Sequence, residues 1–204
     1  LVRSRGLGDV YKRQLEDLAL MREIPGMVVL NPSDDVEAKA AVKAAYEHVG
    51  PVYIRFGRLA VPVINDKPDY KFEIGKGIVL KEGTDVSIFA TGLEVNEALE
   101  AAKLLEADGI NAEVINIHTI KPLDKELVIS SATKTGKVVT VEEHSVIGGL
   151  GSAVAEVLCE EAPTRMTRIG VYDRFGESGP ATELIKKYEL DAQGIYKKVK
   201  AFVK

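Results

Sequence analysis

The residues of this chain best suited to chemistry fall in a few short segments. Glu142-Glu143-His144 runs into Gly148-Gly149-Leu150-Gly151-Ser152. A histidine beside carboxylates is the arrangement of a general base and the group that orients it. A glycine-rich turn entering a helix exposes N–H groups that hold an anion. The spacing GGLGS matches neither the dinucleotide nor the nucleotide-phosphate fingerprint, and no lysine follows it, so the residues favour a tight packing turn. With no second histidine or cysteine nearby in sequence, His144 and Glu142 read as loop residues at or near a subunit interface. Arg55 ends the apolar run VYIRF, just before Gly57 and Arg58. Its planar fork suits carboxylate or phosphate, which leaves a structural ion pair and an anion site both open. His118 follows INAEVINI and precedes Lys121-Pro122, which reads as a turn into the next helix. The segment DRFGESG, 173–179, mixes charges of both signs and reads as an ion-paired loop.

Positioning these groups requires a framework, and the sequence spells out an alternation of strands and helices. LEDLALMREI reads as a short helix stopped by Pro25-Gly26. MVVL and VYIRF read as buried parallel strands. Between them lies a helix capped by Ser33 or Asp34 and running to His48. LAVPVINDKPDYKFEI, with its two prolines and no sustained period, is the linker. GIVLK, VSIFA, INAEVINI, KVVTV and MTRIGV then alternate with helices over 92–108, 124–132, 148–161, 182–188 and 191–203. Strands joined by helical crossovers predict an α/β fold, a mostly parallel doubly wound sheet with helices on both faces. Ligands of such sheets bind beyond the carboxyl ends of the strands, which is where the candidate residues stand.

Composition narrows the class. The chain has 204 residues, 46% hydrophobic and 28% charged, with a formal net charge of −4. That balance is ordinary for a globular domain and argues against nucleic acid as a partner. No apolar run approaches the roughly 20 residues of a membrane span, so no membrane partner and a cytoplasmic location are expected. The single cysteine, Cys159, removes any intrachain disulfide and any cysteine-based zinc cluster. Its helical context reads as a small buried hydrophobe. Residues 1–14 carry Arg3, Arg5, Lys12 and Arg13 against Asp9 and show no periodicity. They are expected to be extraneous to the fold and disordered.

Taken in order, EDLALMREIPGMVVLNPSDD, PVYIRFGRLAVPVI, DVSIFATGLEVNEALEAAKLL, VINIHTIKPLD, VVTVEEHSVIGGLGSAVAE and RFGESGPATELIKKYELDAQGI resemble the carboxyl-terminal half of transketolases, in particular the separate carboxyl-terminal subunit of split transketolases. The resemblance implies that 15–63 is the end of a truncated pyrimidine-binding domain, 64–73 a linker and 74–204 the transketolase carboxyl-terminal domain. It implies transfer of a two-carbon ketol unit between sugar phosphates, using thiamin diphosphate and a divalent metal (Mg). It places Arg55 at the phosphate of the sugar substrate.

The same resemblance implies what other polypeptide supplies. The GDG motif for diphosphate and metal, the glutamate that activates the aminopyrimidine and the substrate-facing histidine have no counterpart here, so no catalytic, cofactor or metal ligand is assigned. The expected partners are an amino-terminal transketolase subunit and a second copy of the chain, paired as a homodimer through the carboxyl-terminal domain. Residues 15–63, lacking sheet neighbours, are expected to be more mobile than the rest. Alternatives of similar domain order are a deoxyxylulose-phosphate synthase and the beta subunit of a 2-oxoacid dehydrogenase. A non-catalytic assembly or regulatory module is a further alternative.

Overall fold

The computed structural model describes residues 15–57 and 59–204. The basic stretch 1–14, expected to be disordered, and Arg58, the neighbour of Arg55, lie outside the described residues.

The first elements are α1 (Asp17–Glu23), β1 (Val28–Leu30), α2 (Asp35–Glu47) and β2 (Val52–Ile54). The Asp34 carboxylate accepts the Glu37 N–H at 2.8 Å and so fixes the start of α2. β1 and β2 pair in parallel, as a strand–helix–strand unit requires. The other edge of β1 is taken by β6 (Thr119–Lys121), antiparallel, giving the order β2-β1-β6. β6 corrects the sequence reading, which placed a turn at His118–Pro122. Val28, Val29 and Leu30 are consequently buried on both faces.

The larger sheet contains β3 (Ile78–Lys81), β4 (Val86–Ala90), β5 (Ala112–Asn116), β7 (Lys137–Ser145) and β8 (Arg165–Val171), in the order β3-β5-β4-β7-β8. All neighbours are parallel except the edge strand β3. This is the mostly parallel, doubly wound sheet expected from the alternation.

Helices cover both faces, as the crossover rule demands. Val86, Ile88 and Ala90 of β4 pack against α3 (Glu94–Ala107) and α7 (Ala192–Val203), while Phe89 faces α4 (Lys125–Thr135) and α5 (Leu150–Glu161). α6 (Ala181–Lys187) follows β8 in the chain and precedes α7. Among the described residues no helix is long and apolar enough to cross a membrane. Cys159 is exposed on α5 rather than buried, because the buried face of that helix is already formed by Leu150, Val154, Val157 and Leu158.

The stretch 64–73 is irregular but bonded. The Ile64 and Asn65 N–H groups donate to Asp34 at 2.8 Å each, and the Tyr70 hydroxyl donates to Glu37 at 2.8 Å.

Candidate functional site

β7 extends four residues beyond the expected Val141, through a register shift against β8 between Val141 and Ser145. A Cβ at Gly170 would stand 2.8 Å from the His144 carbonyl oxygen, so the absence of a side chain on β8 lets the strand continue. Glu142, Glu143 and His144 therefore lie on a strand and not, as the sequence suggested, in a loop.

Glu142 is fully buried. Its carboxylate accepts the Leu150 N–H at 2.7 Å and the Gly151 N–H at 2.8 Å, the first donors of α5. The anion that the glycine turn was suited to hold is thus the chain's own carboxylate. Burial pushes Glu142 up to about 7, against the pull of those two N–H groups and of Arg22 and Arg55. A Cβ at Gly149 would fall 2.1 Å from Glu142 Oε2 and 2.7 Å from His144 Nδ1, so only glycine fits.

His144 is equally buried. Its Nδ1–H donates to the Ser145 carbonyl at 2.7 Å, which leaves Nε2 as acceptor for the Ala19 N–H at 3.4 Å. α1 has no side-chain cap of its own, and His144 supplies one from the neighbouring sheet. With both ring nitrogens engaged and no exposure, His144 and Glu142 do not form a base with its orienter. They hold helix starts. Arg22 extends the same contact, donating to the Gly148 carbonyl at 2.6 Å, and Lys121 donates to the Arg22 and Ile24 carbonyls at the other end of α1.

Arg55 follows β2 and turns across this junction. Its Nε stands 3.2 Å from Asp17 Oδ2, and its Nη1 donates to the Glu143 carbonyl at 2.8 Å. The Tyr53 hydroxyl donates to the same Asp17 oxygen at 2.8 Å. These residues line a cavity of about 550 Å³ between α1, the end of β2, the end of β7 and the segment leading into α6.

His118 is buried, stacked on Phe72 at a centroid distance of 4.3 Å, with Nδ1 3.0 Å from Thr119 Oγ1. Burial pushes its pKa down, with Glu37 and Asp124 pulling the other way. In the 173–179 segment Glu177 pairs with Lys187, and Arg174 lies over the Tyr188 ring at 5.7 Å.

Sequence reasoning missed the buried cluster centred on Glu37. That carboxylate accepts from the Ser33 N–H (2.6 Å), the Ser33 hydroxyl (2.7 Å), the Asn116 amide (2.8 Å) and Tyr70. The signal was present as an Asp34–Glu37 capping-box spacing, but its partners come from far along the chain.

With this geometry in place, comparison with known proteins is direct. The chain matches "Transketolase, C-terminal domain" over residues 75–195 and "Transketolase, pyrimidine binding domain" over 12–63. It belongs to the transketolase family. It is 50% identical to the 6-deoxy-6-sulfo-D-fructose transketolase subunit of a Clostridium strain, covering 89% of this chain and 56% of that one. It is 46% identical to the putative transketolase C-terminal section of Methanocaldococcus jannaschii, over 90% of this chain and 58% of that protein. The 1-deoxy-D-xylulose-5-phosphate synthase 1 of Geobacter sulfurreducens is 42% identical, over 92% of this chain and 30% of that one. A solved "split gene transketolase, inactive beta4 tetramer" superimposes with a TM-score of 0.90 at 52% identity, covering 96% of this chain and 64% of that chain. The chain thus spans a little over half the length of the curated subunits it matches.

The family implies thiamin diphosphate in assembled enzymes, and the glycine-rich turn at 148–151 does not fit its diphosphate. The one glycine-rich helix start has its N–H donors bound to Glu142, and no cluster of three or more His, Cys, Asp or Glu among the described residues could hold a metal ion.

Proposed function

We propose that this chain is the carboxyl-terminal part of a transketolase. An amino-terminal subunit would contribute thiamin diphosphate and a divalent metal, and the assembly would move a two-carbon ketol unit between sugar phosphates. The observation carrying this reading is that, among the described residues, the glycine-rich helix start resembling an anion cradle is filled internally by Glu142. Two relatives are described as transketolase subunits. The solved split-gene relative is described as an inactive tetramer of beta chains, which supports a requirement for a second kind of chain. Pairing of two copies through the carboxyl-terminal domain belongs to the same proposal.

Within that assembly the geometry supports the structural role of Arg55 over a phosphate contact. Its guanidinium already faces Asp17 and the Glu143 carbonyl, and the cavity it lines also carries Glu143 and Glu177. A phosphate dianion gains little from one arginine already facing Asp17, with the Glu143 carboxylate 4.0 Å away.

The test is reconstitution with an amino-terminal transketolase subunit, followed by ketol-transfer assays with xylulose 5-phosphate as donor and, separately, with pyruvate and glyceraldehyde 3-phosphate. Ketol transfer by the mixture and by neither chain alone supports the reading. Activity of this chain alone, or turnover with pyruvate only, overturns it. Arg55→Ala is expected to weaken turnover with phosphorylated and unphosphorylated acceptors alike. A loss confined to phosphorylated acceptors would assign the phosphate contact to Arg55 after all.

A further inference from the structure

Glu94, the first residue of α3, is wholly buried, and neither of its carboxylate oxygens has a hydrogen-bond partner among the described residues. An ionised carboxylate left in that state is very costly. Charged groups act on it from four elements: Glu143 near the end of β7, Glu97 on α3 itself, Asp191 at the start of α7 and Arg55 after β2. The first three are acids, and Arg55 is already engaged by Asp17 and the Glu143 carbonyl. Burial, with the push of Glu143, Glu97 and Asp191, raises the Glu94 pKa well above the ordinary carboxylate value. These groups divide between two cavities. Arg55 and Glu143 line the one of about 550 Å³, whereas Glu97 and Asp191 line a second of about 230 Å³, together with Leu93, Lys186 of α6 and residues 59–62. The first turn of α3 thus walls the second cavity, and it is lightly held. It has no side-chain cap, and Gly92 before it turns through a positive φ of 59°.

We propose that Glu94 is a proton-operated latch: as the neutral acid it keeps the first turn of α3 packed, and on losing its proton it opens that turn into the second cavity. The proton leaves to solvent, and the carboxylate gains water in exchange for a buried site that offers it no donor. Lys186 gives the second cavity a positive charge, which favours movement in that direction. Because residues 59–62, the stretch after β2, line the same cavity, the opening loosens the connection between the two halves of the chain. The sign follows from the raised pKa. The folded chain holds a proton that the open turn gives up, so the stabilising contribution is complete below about 4.5 and is lost as pH rises through the folded value. This inference requires no amino-terminal partner and stands apart from the catalytic reading.

The experiment follows the full chain by NMR from about pH 5 to about pH 9, recording side-chain carboxyl carbons and amide hydrogen exchange corrected for the intrinsic effect of pH. The Glu94 carboxyl carbon is expected to titrate well above the ordinary range. Along the same titration, protection of the amides in the first two turns of α3 should fall by up to about tenfold per pH unit, the limit for release of one proton. Resonances of Leu93 and Lys186 should shift with it, while protection of Val86–Ala90 holds. Glu94→Gln keeps the shape and cannot ionise, so its α3 amides should stay protected across the range. The variant also controls for Glu142, whose titration is common to both proteins. Titration of Glu94 at the ordinary carboxylate value would overturn the proposal. So would an equal loss of protection in folded Glu94→Gln, unchanged protection while Glu94 titrates, or shifts confined to the Arg55 cavity.

Discussion

The imidazole of His144, on the last turn of sheet in the carboxyl-terminal domain, accepts the backbone N–H of Ala19 at 3.4 Å and thereby caps a helix that belongs to the pyrimidine-domain segment. The contact joins residues far apart in sequence, and further bonds run alongside it, from the Ser145 N–H to the Leu15 carbonyl and from Arg22 to the Gly148 carbonyl. His144→Ala removes the cap and leaves a void in a fully buried site. It is expected to cost about 2–4 kcal/mol in urea unfolding. His144→Gln, whose amide oxygen can accept the same N–H, should recover part of that loss.

Acid titration should reveal two neighbours pulling in opposite directions. His144 and His118 have folded pKa values lowered by burial. The unfolded chain therefore binds more protons, and their contribution is present above about 6.5 and lost as pH falls below it. Glu142 is raised by burial to about 7. The folded chain binds the extra proton there, so that contribution is complete below about 4.5 and lost as pH rises to 7. Glu142→Gln removes the second trend. The stability gap between wild type and variant, measured by urea unfolding at a series of pH values, should narrow as pH rises through that window.

Gly149→Ala is expected to be strongly damaging at the start of α5. The added Cβ would meet the Glu142 carboxylate and the His144 ring, neither of which can move without releasing a helix cap. A loss of about 3 kcal/mol is expected from overpacking. Gly109 provides the comparison, since a Cβ there meets nothing within 4 Å and only its positive φ of 77° opposes substitution. Gly109→Ala should cost about 1 kcal/mol. Thermal melts of the two variants check the ranking.

Several elements were legible because their cause is local. The apolar run VSIFA and the stretch INAEVINI fix buried strands, and Asp124 and Asp191 fix helix starts by accepting from Leu127 and Gly194. The end of β7 was not legible, because Glu142 and His144 look polar until their distant partners are known. β6 was missed for the same reason. Thr119 and Ile120 are β-branched, but a run of three residues stopped by Pro122 is too short to read as a strand, and it pairs with the open edge of β1. Arg55 was half legible: its type announced an anionic partner, and Asp17 stands 3.2 Å from its Nε, a contact that the sequence could not place.

The sequence led to the expectation that residues 15–63 would be loosely held, and the Glu37 cluster argues for the opposite behaviour. Glu37 is wholly buried, and the donors that satisfy it come from its own helix start, from Tyr70 in the connecting stretch and from Asn116 at the end of β5. A buried carboxylate with this many partners couples the parts that supply them, because separating them strands every donor at once. Glu37→Ala should therefore cost at least about 3 kcal/mol, the penalty for leaving several buried donors without an acceptor. The loss should appear in one cooperative transition rather than two. Hydrogen exchange makes the same point in the unmodified protein. Amides of Val28–Leu30, paired on both sides by β2 and β6, should exchange as slowly as those of Val86–Ala90 in the large sheet. Markedly faster exchange at β1 would mean that the Glu37 cluster and the β1–β6 pairing do not bind the two sheets into a single unit.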